Sequence, residues 1–481
     1  MNFARDVVEA APPDGLALVE LARDGGRREW SFGEVAEHSA RLATALRRHG
    51  VDRGDIVMTL IGNRPDWVLT MVACFRIGAV ALACNEQLRA HDLALRIEAA
   101  GPRLIVADER NLAELSAARP SCGVLTVPDE RLFDETVEPT ETVELDPRDP
   151  CLITFTSGTT GEPKGVVHGQ RYLPGQRLQA EHWLDAQPGE LVWCTAATGW
   201  SKSARNAFIA PWLRGAAALV HDGRFDPAQR LELLGRERVN VLCMAPTEYR
   251  VMAKRVELHP LPELRSLVAA GEALNPEVIR AFREATGLEI RDGYGQTETG
   301  QLTGNPLGQP VRPGSMGRPL PGVALDVQDG ELILRDPATD PTFFVAYVDG
   351  ETAPTGIPWR TGDRVTRDED GYLYFEGRTD DLIISAGYRI GPFEVESALV
   401  SHDAVAEAAV VAAPDEERGA IVRAVVVLRD GFSPGQDLAA ELQEHVKQET
   451  APYKYPRIVE FADELPKTAS GKIQRAKLRM R

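Results

Sequence analysis

Ten consecutive residues, 156–165, combine three glycines, four hydroxyl side chains and one lysine. They follow the apolar run 151–155, which predicts a buried strand. Glycines let backbone N–H groups converge on one point, hydroxyl groups add donors, and Lys164 adds a mobile positive charge. This chemistry suits phosphate oxygens. A flexible linker is the alternative, but linkers rarely follow a buried strand and end in Pro-Lys-Gly. The spacing of a Walker loop is not met.

A second stretch, 292–300, places Tyr294 between two glycines. That arrangement lets an aromatic ring lie flat against a base while the backbone passes close by. Thr297 offers a hydroxyl to a phosphate, and Glu298 offers a hard oxygen to Mg²⁺. An ordinary glycine-rich turn with a solvated glutamate is the alternative for this stretch alone, because short glycine motifs are weak signals.

Two further positions have side chains suited to a nucleotide or an acid. Asp363 could accept two hydrogen bonds from a ribose diol, the task that acidic residues perform in dinucleotide sites. The indole of Trp200, after the predicted strand 190–195, either packs within a loop or lines a pocket. The sequence leaves these two roles of Trp200 equally open.

These residues need a scaffold, and the pattern of the chain predicts a largely parallel α/β sheet. Predicted strands alternate with helices in the first 150 residues, and further strands are predicted beyond them. The helices are 32–49 and 66–77, and the strands are 57–61, 79–84, 104–107, 190–195, 239–244 and 267–270. Because ligands bind at the carboxyl ends of strands in such sheets, the ends of these strands are candidate site walls.

The adjacent pair Asp380 and Asp381 predicts a domain boundary, which divides the chain into 1–379 and 380–481. A small α+β unit follows, with helices over 392–400 and 438–450 and strands over 407–411 and 424–428. A hairpin is predicted around 368–371. The chain ends in a basic segment, for which a solvated terminal helix is the alternative. Lys472 stands apart, because it lies in a turn-forming loop before that segment.

The composition excludes several classes of protein. A hydrophobic fraction of 43% and a charged fraction of 26% are typical of a soluble globular chain. The net charge of −18 argues against a nucleic-acid partner, and it requires any anion site to concentrate positive charge locally. The six cysteines lack metal-ligand spacing, which favours buried free thiols. No apolar run has the length of a membrane span, and a cytoplasmic location is expected.

On the basis of these stretches, the chain resembles an adenylate-forming acyl-CoA synthetase over nearly its whole length, and it is most similar to the medium-chain group. Four blocks in family order carry the resemblance: 156–165, 294–298, 361–363 with 377–378, and 470–472. The stretches 388–396 and 451–457 carry the likeness to the medium-chain group. The resemblance implies an α/β fold with a large N-terminal adenylate-forming domain and a small mobile α+β C-terminal lid.

The same resemblance implies ATP, Mg²⁺ and CoA as cofactors, with ATP held by a set of loop residues. These are Thr156, Ser157, Gly158, Thr159, Thr160, Gly161, Glu162, Pro163, Lys164, Gly271, Glu272, Asp292, Gly293, Tyr294, Gly295, Gln296, Asp363 and Arg378. The catalytic residues would be Thr297 at the α-phosphate, Glu298 at the metal, and Lys472 bridging the acid and the α-phosphate.

The remaining implied roles concern CoA, the acid and the motion of the lid. CoA would meet Ala386, Gly387, Tyr388, Arg418, Tyr455, Pro456, Arg457 and Gln87. Trp200 and Arg389 would line the acyl pocket, and Asp380 would be the hinge of the lid. The expected activity is conversion of a medium-chain, branched or aryl acid to its acyl-adenylate and then to acyl-CoA.

Two departures leave the acid preference open. The segment 195–198 reads Thr-Ala-Ala-Thr, where the medium-chain group usually has an acidic residue close to the Gly-Trp pair, and Ala386 replaces a common serine. Transfer to a carrier-protein thiol and a non-catalytic binding role are the alternatives. A separate hypothesis is that lysine acylation and deacylation enzymes act on Lys472, since acylation removes its charge.

Overall fold

The computed structural model of the protein describes residues 1–133, 138–156, 163–272, 274–386, 388–467 and 473–479. Strands β1 to β13 are Leu16–Leu21, Arg27–Ser31, Ile56–Leu60, Val80–Cys84, Leu104–Asp108, Gly123–Val127, Pro150–Phe155, Gly165–Gly169, Leu191–Cys194, Ala217–His221, Val241–Met244, Ser266–Ala270 and Ile290–Gly293. Strands β14 to β22 are Gly295–Gln296, Gly300–Gln301, Thr303–Gly304, Arg318–Pro319, Leu325–Gln328, Glu331–Leu334, Ala346–Tyr347, Trp359–Arg367 and Leu373–Arg378.

Helices connect these strands. Helices α1 to α11 are Phe32–Arg48, Pro65–Ile77, Ala90–Ala100, Leu112–Ala117, Tyr172–Gly175, Arg177–Gln179, Lys202–Ala204, Ala210–Leu213, Pro227–Arg236, Pro246–Arg255 and Pro276–Thr286. A π-helical stretch, Arg205–Ile209, joins α7 to α8, so that 202–213 forms one continuous helix.

Two large sheets form the scaffold of this region. One has the order β13-β12-β11-β9-β10-β1-β2, and its pairs are parallel except for β1 with β2. The other has the order β20-β8-β7-β4-β3-β5-β6 and is parallel from β7 to β6. The predicted parallel α/β sheet is therefore confirmed, with antiparallel strands at one edge of each sheet.

Local sequence signals explain where helices begin and end. The side chain of Ser31 accepts a hydrogen bond from Glu34 N at 3.1 Å, and the Glu34 carboxylate accepts one from Ser31 N at 2.8 Å. This capping box starts α1 at Phe32, as the pattern predicts. Helix α2 ends at Gly78, whose φ of 73° is in the left-handed region that glycine adopts without strain.

The C-terminal part of the chain has a hydrophobic core of its own. Strands β23 to β27 are Ile383–Ser385, Tyr388–Ile390, Val405–Asp415, Gly419–Leu428 and Ile458–Phe461, and helices α12 to α14 are Pro392–Ser401, Gln436–Glu449 and Arg475–Arg479. Val395, Val410, Val426 and Leu442 belong to one buried cluster, which is separate from the clusters of the large sheets. The small α+β unit is thus confirmed as a second fold element.

Predicted and observed bounds agree closely for most elements, and the predicted hairpin exists as β21 paired antiparallel with β22. The largest difference is in β25 and β26, which extend beyond 407–411 and 424–428 to meet at Asp415 and Gly419. The added residues include Pro414, Asp415 and Gly419, which are uncommon in strands and hide the strand pattern. Backbone pairing continues there because it does not depend on which side chains face solvent.

Candidate active site

A cleft of 1570 Å³ lies between the carboxyl ends of strands of both large sheets and the small C-terminal unit. Cys84, Phe155, Ala270 and Gly293, which are the last residues of β4, β7, β12 and β13, line its wall. Residues of α12 and β25 line it from the other side. The position agrees with the expectation that strand ends form the site.

The cleft has a different charge balance from the chain as a whole. Among its lining residues, eleven are lysine or arginine and nine are aspartate or glutamate. The whole chain has a formal net charge of −18. The structure therefore concentrates positive charge where an anionic ligand would enter, against the overall field.

The two described ends of the loop 156–165 are hydrogen-bonded to each other. Thr156 N donates to Lys164 O at 2.9 Å, and Lys164 N donates to Thr156 Oγ1 at 3.1 Å. Residues 157–162 lie outside the described residues. Thr156, Pro163 and Lys164 all line the cleft, so the loop begins and ends at the cleft wall.

Tyr347 links this loop to the second motif. The Nζ of Lys164 lies 4.9 Å from the centroid of the Tyr347 ring, and the Tyr347 hydroxyl donates to Glu298 Oε1 at 3.3 Å. Lys164 also lies 3.6 Å from Glu351 Oε2. Burial raises the pKa of Glu298 above its usual value, because the ionised carboxylate is poorly solvated there. Thr297 lines the cleft beside it.

Asp363 is the centre of a hydrogen-bonded group. It is 5% exposed and accepts hydrogen bonds from the Tyr294 hydroxyl at 2.5 Å and Gln296 Nε2 at 2.8 Å. Arg378 Nη1 donates to its other oxygen at 3.2 Å. Trp359 Nε1 in turn donates to Gln296 Oε1 at 3.0 Å. The structure therefore brings together Tyr294, Gln296, Asp363 and Arg378, which are up to 84 positions apart in the sequence.

The strand ends at Gly271 and Asp292 supply the neighbouring wall. Gly271 has a φ of 101°, a left-handed conformation that favours glycine. Glu272 accepts hydrogen bonds from Thr247 Oγ1 at 2.6 Å and Arg250 Nη2 at 3.1 Å. Burial raises the pKa of Asp292 well above its usual value, although Gly293 N donates to its carboxylate. Gly293 and Gly295 line the cleft between these groups.

Trp200 lines the cleft and is also partly packed against the core of the large unit. Gly199 has a φ of 85°, and a Cβ there would lie 2.7 Å from Asn85 N, so the turn before Trp200 requires glycine. The Nζ of Lys202 lies 5.7 Å from the Trp200 ring centroid and donates to Ala270 O at 2.9 Å. Arg205 lines the same wall and is 4% exposed.

The side chains that line the cleft could hold Mg²⁺ only together with the phosphates of a bound substrate. Within the described ranges, no group of three histidine, cysteine, aspartate or glutamate side chains could hold a metal ion. Mg²⁺ commonly binds through one or two carboxylates plus substrate phosphates and water. Glu298, facing the cleft opposite Lys164, matches that pattern, because its Oε2 has no hydrogen-bond partner among the described residues.

The residues predicted to meet CoA lie elsewhere. Those that are described, Ala386, Tyr388, Arg418, Tyr455, Pro456, Arg457 and Gln87, do not line the cleft. Tyr388 is 53% exposed and stacks on Tyr453 with ring centroids 4.3 Å apart. Arg457 donates to the Tyr455 hydroxyl at 2.8 Å. Ala386, Tyr388 and Arg457 are exposed on the small unit, Arg418 and Tyr455 are half-buried, and Pro456 is buried. Gln87 is exposed on the large unit.

Besides 157–162, three further predicted positions fall on undescribed parts of the chain. Gly387, Lys472 and the side chain of Arg389 lie outside the described residues. The two ends of the loop that contains Lys472 are described, and Lys467 and Ile473 both line the cleft. Asp380, the predicted hinge, lies 3.5 Å from Arg378 Nε through its carboxylate, and its carbonyl accepts from Arg479 at 3.3 Å.

Sequence reasoning missed several residues that line the cleft. Tyr347, Trp359, Lys202 and Arg205 lie outside the recognised blocks, and only the fold brings them to the site. A signal existed for two of them, because Lys202 and Arg205 directly follow the Gly-Trp pair at helical spacing. Tyr347 is in a short edge strand and had no comparable signal.

Comparisons with known proteins agree with this geometry. The family model for AMP-binding enzymes matches residues 5–337, and that for the AMP-binding enzyme C-terminal domain matches 394–472. The human mitochondrial acyl-coenzyme A synthetase ACSM4 is 40% identical, with 99% of this chain and 90% of that protein covered. The uncharacterized acyl-CoA ligase YtcI of Bacillus subtilis is also 40% identical, with 97% and 93% covered.

Solved structures are similar over the full length. The anthranilate CoA ligase AuaEII, in complex with anthranoyl-AMP, has a TM-score of 0.90 at 28% identity, covering 100% of this chain and 97% of that one. A benzoate CoA ligase from Burkholderia xenovorans LB400 has a TM-score of 0.89 at 28% identity, with both chains covered completely. The chain therefore belongs to the AMP-binding, adenylate-forming enzymes, and within them to the acyl-CoA synthetases, which use ATP, Mg²⁺ and CoA.

Proposed function

We propose that the protein joins a medium-chain, branched or aryl carboxylic acid to CoA in two steps within one cleft. The first step forms an acyl-adenylate and releases pyrophosphate, and the second forms the thioester and releases AMP. The observation that carries the proposal is the group of Tyr294, Gln296 and Arg378 around Asp363, which adjoins Glu298 in the same cleft. This arrangement suits a nucleotide with its phosphates directed toward Lys164.

We assign the nucleotide roles to residues that line that cleft. Asp363 and Arg378 would hold the ribose, and Gly271, Glu272 and 292–294 would bracket adenine, with Gly295 and Gln296 beside it. The segment 156–164 would hold the leaving phosphates. Thr297 would donate to the α-phosphate, and Glu298 would hold Mg²⁺, which neutralises phosphate charge when bound. Trp200 and Arg389 would contact the acid.

Lys472 has the central task in the first step under this proposal. A carboxylate and a phosphate are both anions, so they repel each other as the carboxylate attacks. A cation placed between them stabilises the charge that develops in the transition state. The loop that carries Lys472 starts at Lys467 and ends at Ile473, both of which line the cleft, and this supports the assignment.

The second step would use another orientation of the small unit. We propose a boundary at Asp380, with 1–379 holding ATP and acid and 380–481 acting as the lid. Support comes from the separate core of the small unit and from the distance of the CoA-assigned residues from the cleft. Rotation about Asp380 would bring Ala386, Gly387 and Tyr388 to the acyl group, and a glycine there leaves room for the pantetheine arm.

The test is acid-dependent release of pyrophosphate from ATP, measured with and without CoA over a panel of acids. We expect slow or single-turnover release without CoA and steady turnover with it. Failure to form an acyl-adenylate with any acid would overturn the proposal. If the acyl group passes from the adenylate to a carrier-protein thiol but never to CoA, the carrier protein replaces CoA as the acceptor in this proposal.

We also propose that acylation of Lys472 inactivates the first step by removing its charge. Enzymes that add or remove the acyl group would then regulate the protein. The hypothesis is supported by the chemistry of that step rather than by any described contact. Full adenylation activity in protein homogeneously acetylated at Lys472 would contradict it.

A cytoplasmic location is part of the same proposal. Cys74, Cys84, Cys151, Cys194 and Cys243 are buried free thiols, which suit a reducing compartment. Among the described helices, none is long and apolar enough to cross a membrane. Fractionation of the native host cell would test the location directly.

A further inference from the structure

The acyl side of the cleft contains a buried cation without a balancing anion. Lys202 and Arg205 lie three residues apart on the helix 202–213, so their side chains share a face, and both line the cleft. Lys202 is half-buried, whereas Arg205 is only 4% exposed. The cleft wall therefore deepens along the helix toward Arg205.

The guanidinium of Arg205 has hydrogen-bonding capacity that the described protein does not use. Its Nη2 lies 3.5 Å from Gln301 Oε1, while Nε and Nη1 have no hydrogen-bond partner among the described residues. Gln301 is itself held in place, because its Nε2 donates to Thr303 O at 2.9 Å. Gln301 thus orients Arg205 without neutralising it.

The ionisable neighbours of Arg205 are neutral. His168 and Tyr172, whose ring centroids are 4.0 Å apart, are both close enough to Arg205 to interact with its charge. Burial lowers the pKa of His168 to about 3 and raises the pKa of Tyr172, so neither ring is charged at neutral pH. In the described part of the chain, neither Lys202 nor Arg205 forms an ion pair with an aspartate or glutamate.

The absence of an acidic residue just before the Gly-Trp pair affects the charge balance around Lys202 and Arg205. The segment 195–198 contains no acidic residue, and its hydroxyl groups already donate elsewhere. Thr195 Oγ1 donates to Glu248 at 2.5 Å, and Thr198 Oγ1 donates to Ile61 O at 2.7 Å. This segment therefore supplies no anion to the cations that follow it.

An unpaired buried cation is costly, and a pocket for a plain alkyl or aryl group would be lined by apolar side chains. We propose that the acid used by this protein carries an anionic oxygen group, such as a second carboxylate, at its far end, and that Arg205 binds that group. This inference rests on the proposed function and deepens it. The reacting carboxylate is activated as in any acid, and the far group is unchanged.

The experiment compares matched acids in the wild-type protein. Unbranched monocarboxylic acids, dicarboxylic acids of the same carbon number and the monomethyl esters of those dicarboxylic acids are assayed for kcat/KM of pyrophosphate release. At the best-fitting length, we expect the dicarboxylic acid to exceed the monocarboxylic acid by about 10²-fold or more, because a buried polar group rejects a substrate that leaves it unpaired. The neutral ester should fall between them.

Three variants test whether Arg205 causes the preference for dicarboxylic acids. Arg205→Met should abolish the preference and raise activity toward the monocarboxylic acid, and Arg205→Lys should retain part of it. Arg230→Met is the matched control, because Arg230 is also buried, at 5% exposed, but lies 3.7 Å from Glu248 and outside the cleft lining. It should lower stability and leave the ratio between the two acids unchanged.

The outcomes separate the two hypotheses. A preference for the monocarboxylic acid at every length would overturn the inference, even if the Arg205 variants do not fold. Equal activity with the dicarboxylic acid and its monoester would overturn the assignment of an anionic group. Pyrophosphate release with no acid at all would overturn the proposed function, and the inference with it.

Discussion

The cleft wall of the large unit and the outer surface of the small unit are organised in opposite ways. In the cleft, Asp363 has three hydrogen-bond donors and Glu272 has two before any ligand binds. On the outer surface, Tyr388 is 53% exposed and the aromatic pair Tyr388 and Tyr453 stacks in solvent. The first region is held by buried hydrogen bonds to carboxylates, and the second is held by contacts between partly exposed aromatic and arginine side chains.

The difference suggests how two reactions share one protein. Binding and orienting a nucleotide is efficient when donors and acceptors are fixed in advance, since no reorganisation accompanies the reaction. A surface that receives a partner only after a domain movement cannot be held by contacts within the cleft. We expect substitutions in the two regions to separate the two half-reactions, and four variants test that expectation.

The largest effect is expected for Lys472→Ala. Removing the cation that we propose to lie between two anions should lower adenylation by about 10³-fold, comparable with the loss of a principal transition-state donor. Thioester formation from supplied acyl-adenylate should be almost unchanged. Rapid-quench assays of each half-reaction provide the measurement, and Lys467→Ala, which removes a cation paired with Glu407, is the control. Equal loss of both half-reactions would refute the separation.

Glu298→Gln should reduce adenylation by about 10²-fold, because it removes the proposed metal ligand. The variant should be as stable as the wild type or more stable. Burial raises the pKa of Glu298, so the folded protein holds this proton more tightly than the unfolded chain does, and ionisation at neutral pH destabilises the fold.

The raised pKa of Glu298 also affects how the activity depends on pH. As pH falls, a carboxylate with a raised pKa becomes protonated sooner than an ordinary glutamate, so Mg²⁺-dependent activity should be lost at a correspondingly higher pH. Raising the Mg²⁺ concentration should move this acid limb to lower pH. Thermal unfolding of Glu298→Gln tests the stability prediction, and a Tm well below that of the wild type would contradict it. pH-rate profiles at two Mg²⁺ concentrations test the predicted pH dependence of activity.

On the opposite surface, Arg457→Ala should raise KM for CoA by about 10-fold, as expected for loss of one charge-assisted contact. Pyrophosphate release in the absence of CoA should not change. Steady-state kinetics with varied CoA measure the effect. An equal loss in the adenylation half-reaction would place Arg457 in the first step and remove the contrast between the regions.

The smallest effect is expected at one of the hydrogen bonds between the two units. Lys254 Nζ on α10 donates to Ala406 O at 3.2 Å across the cleft. Lys254→Met should weaken the orientation seen here by one hydrogen bond, lowering adenylation by about 2- to 5-fold while leaving thioester formation intact. A uniform fall in both half-reactions would show that this contact acts on stability instead.

Much of the scaffold followed from short-range patterns. The helix over 32–49 was predictable because its capping box and its apolar spacing are local, and β7 was predictable as an apolar run before a glycine-rich loop. The extents of β25 and β26 were underestimated, because the backbone pairing of these two consecutive strands continues through Pro414, Asp415 and Gly419, residue types that are uncommon in strands. The predicted roles of 157–162, Gly387 and Lys472 stay predictions, since those residues are not described.

The sequence by itself determined the family, the order of the motifs and the chemistry available to the residues that we assign to the nucleotide, because these depend on residue type at fixed local spacing. The tertiary structure decided which distant side chains share the cleft. Tyr347 joins Lys164 to Glu298, and Asp363 joins Tyr294 to Arg378, through contacts that no local pattern encodes. The tertiary structure also showed that Arg205 is buried and that its guanidinium lacks part of its possible hydrogen bonds. The sequence could not show this, because the partners of a charged group depend on which residues the fold places around it.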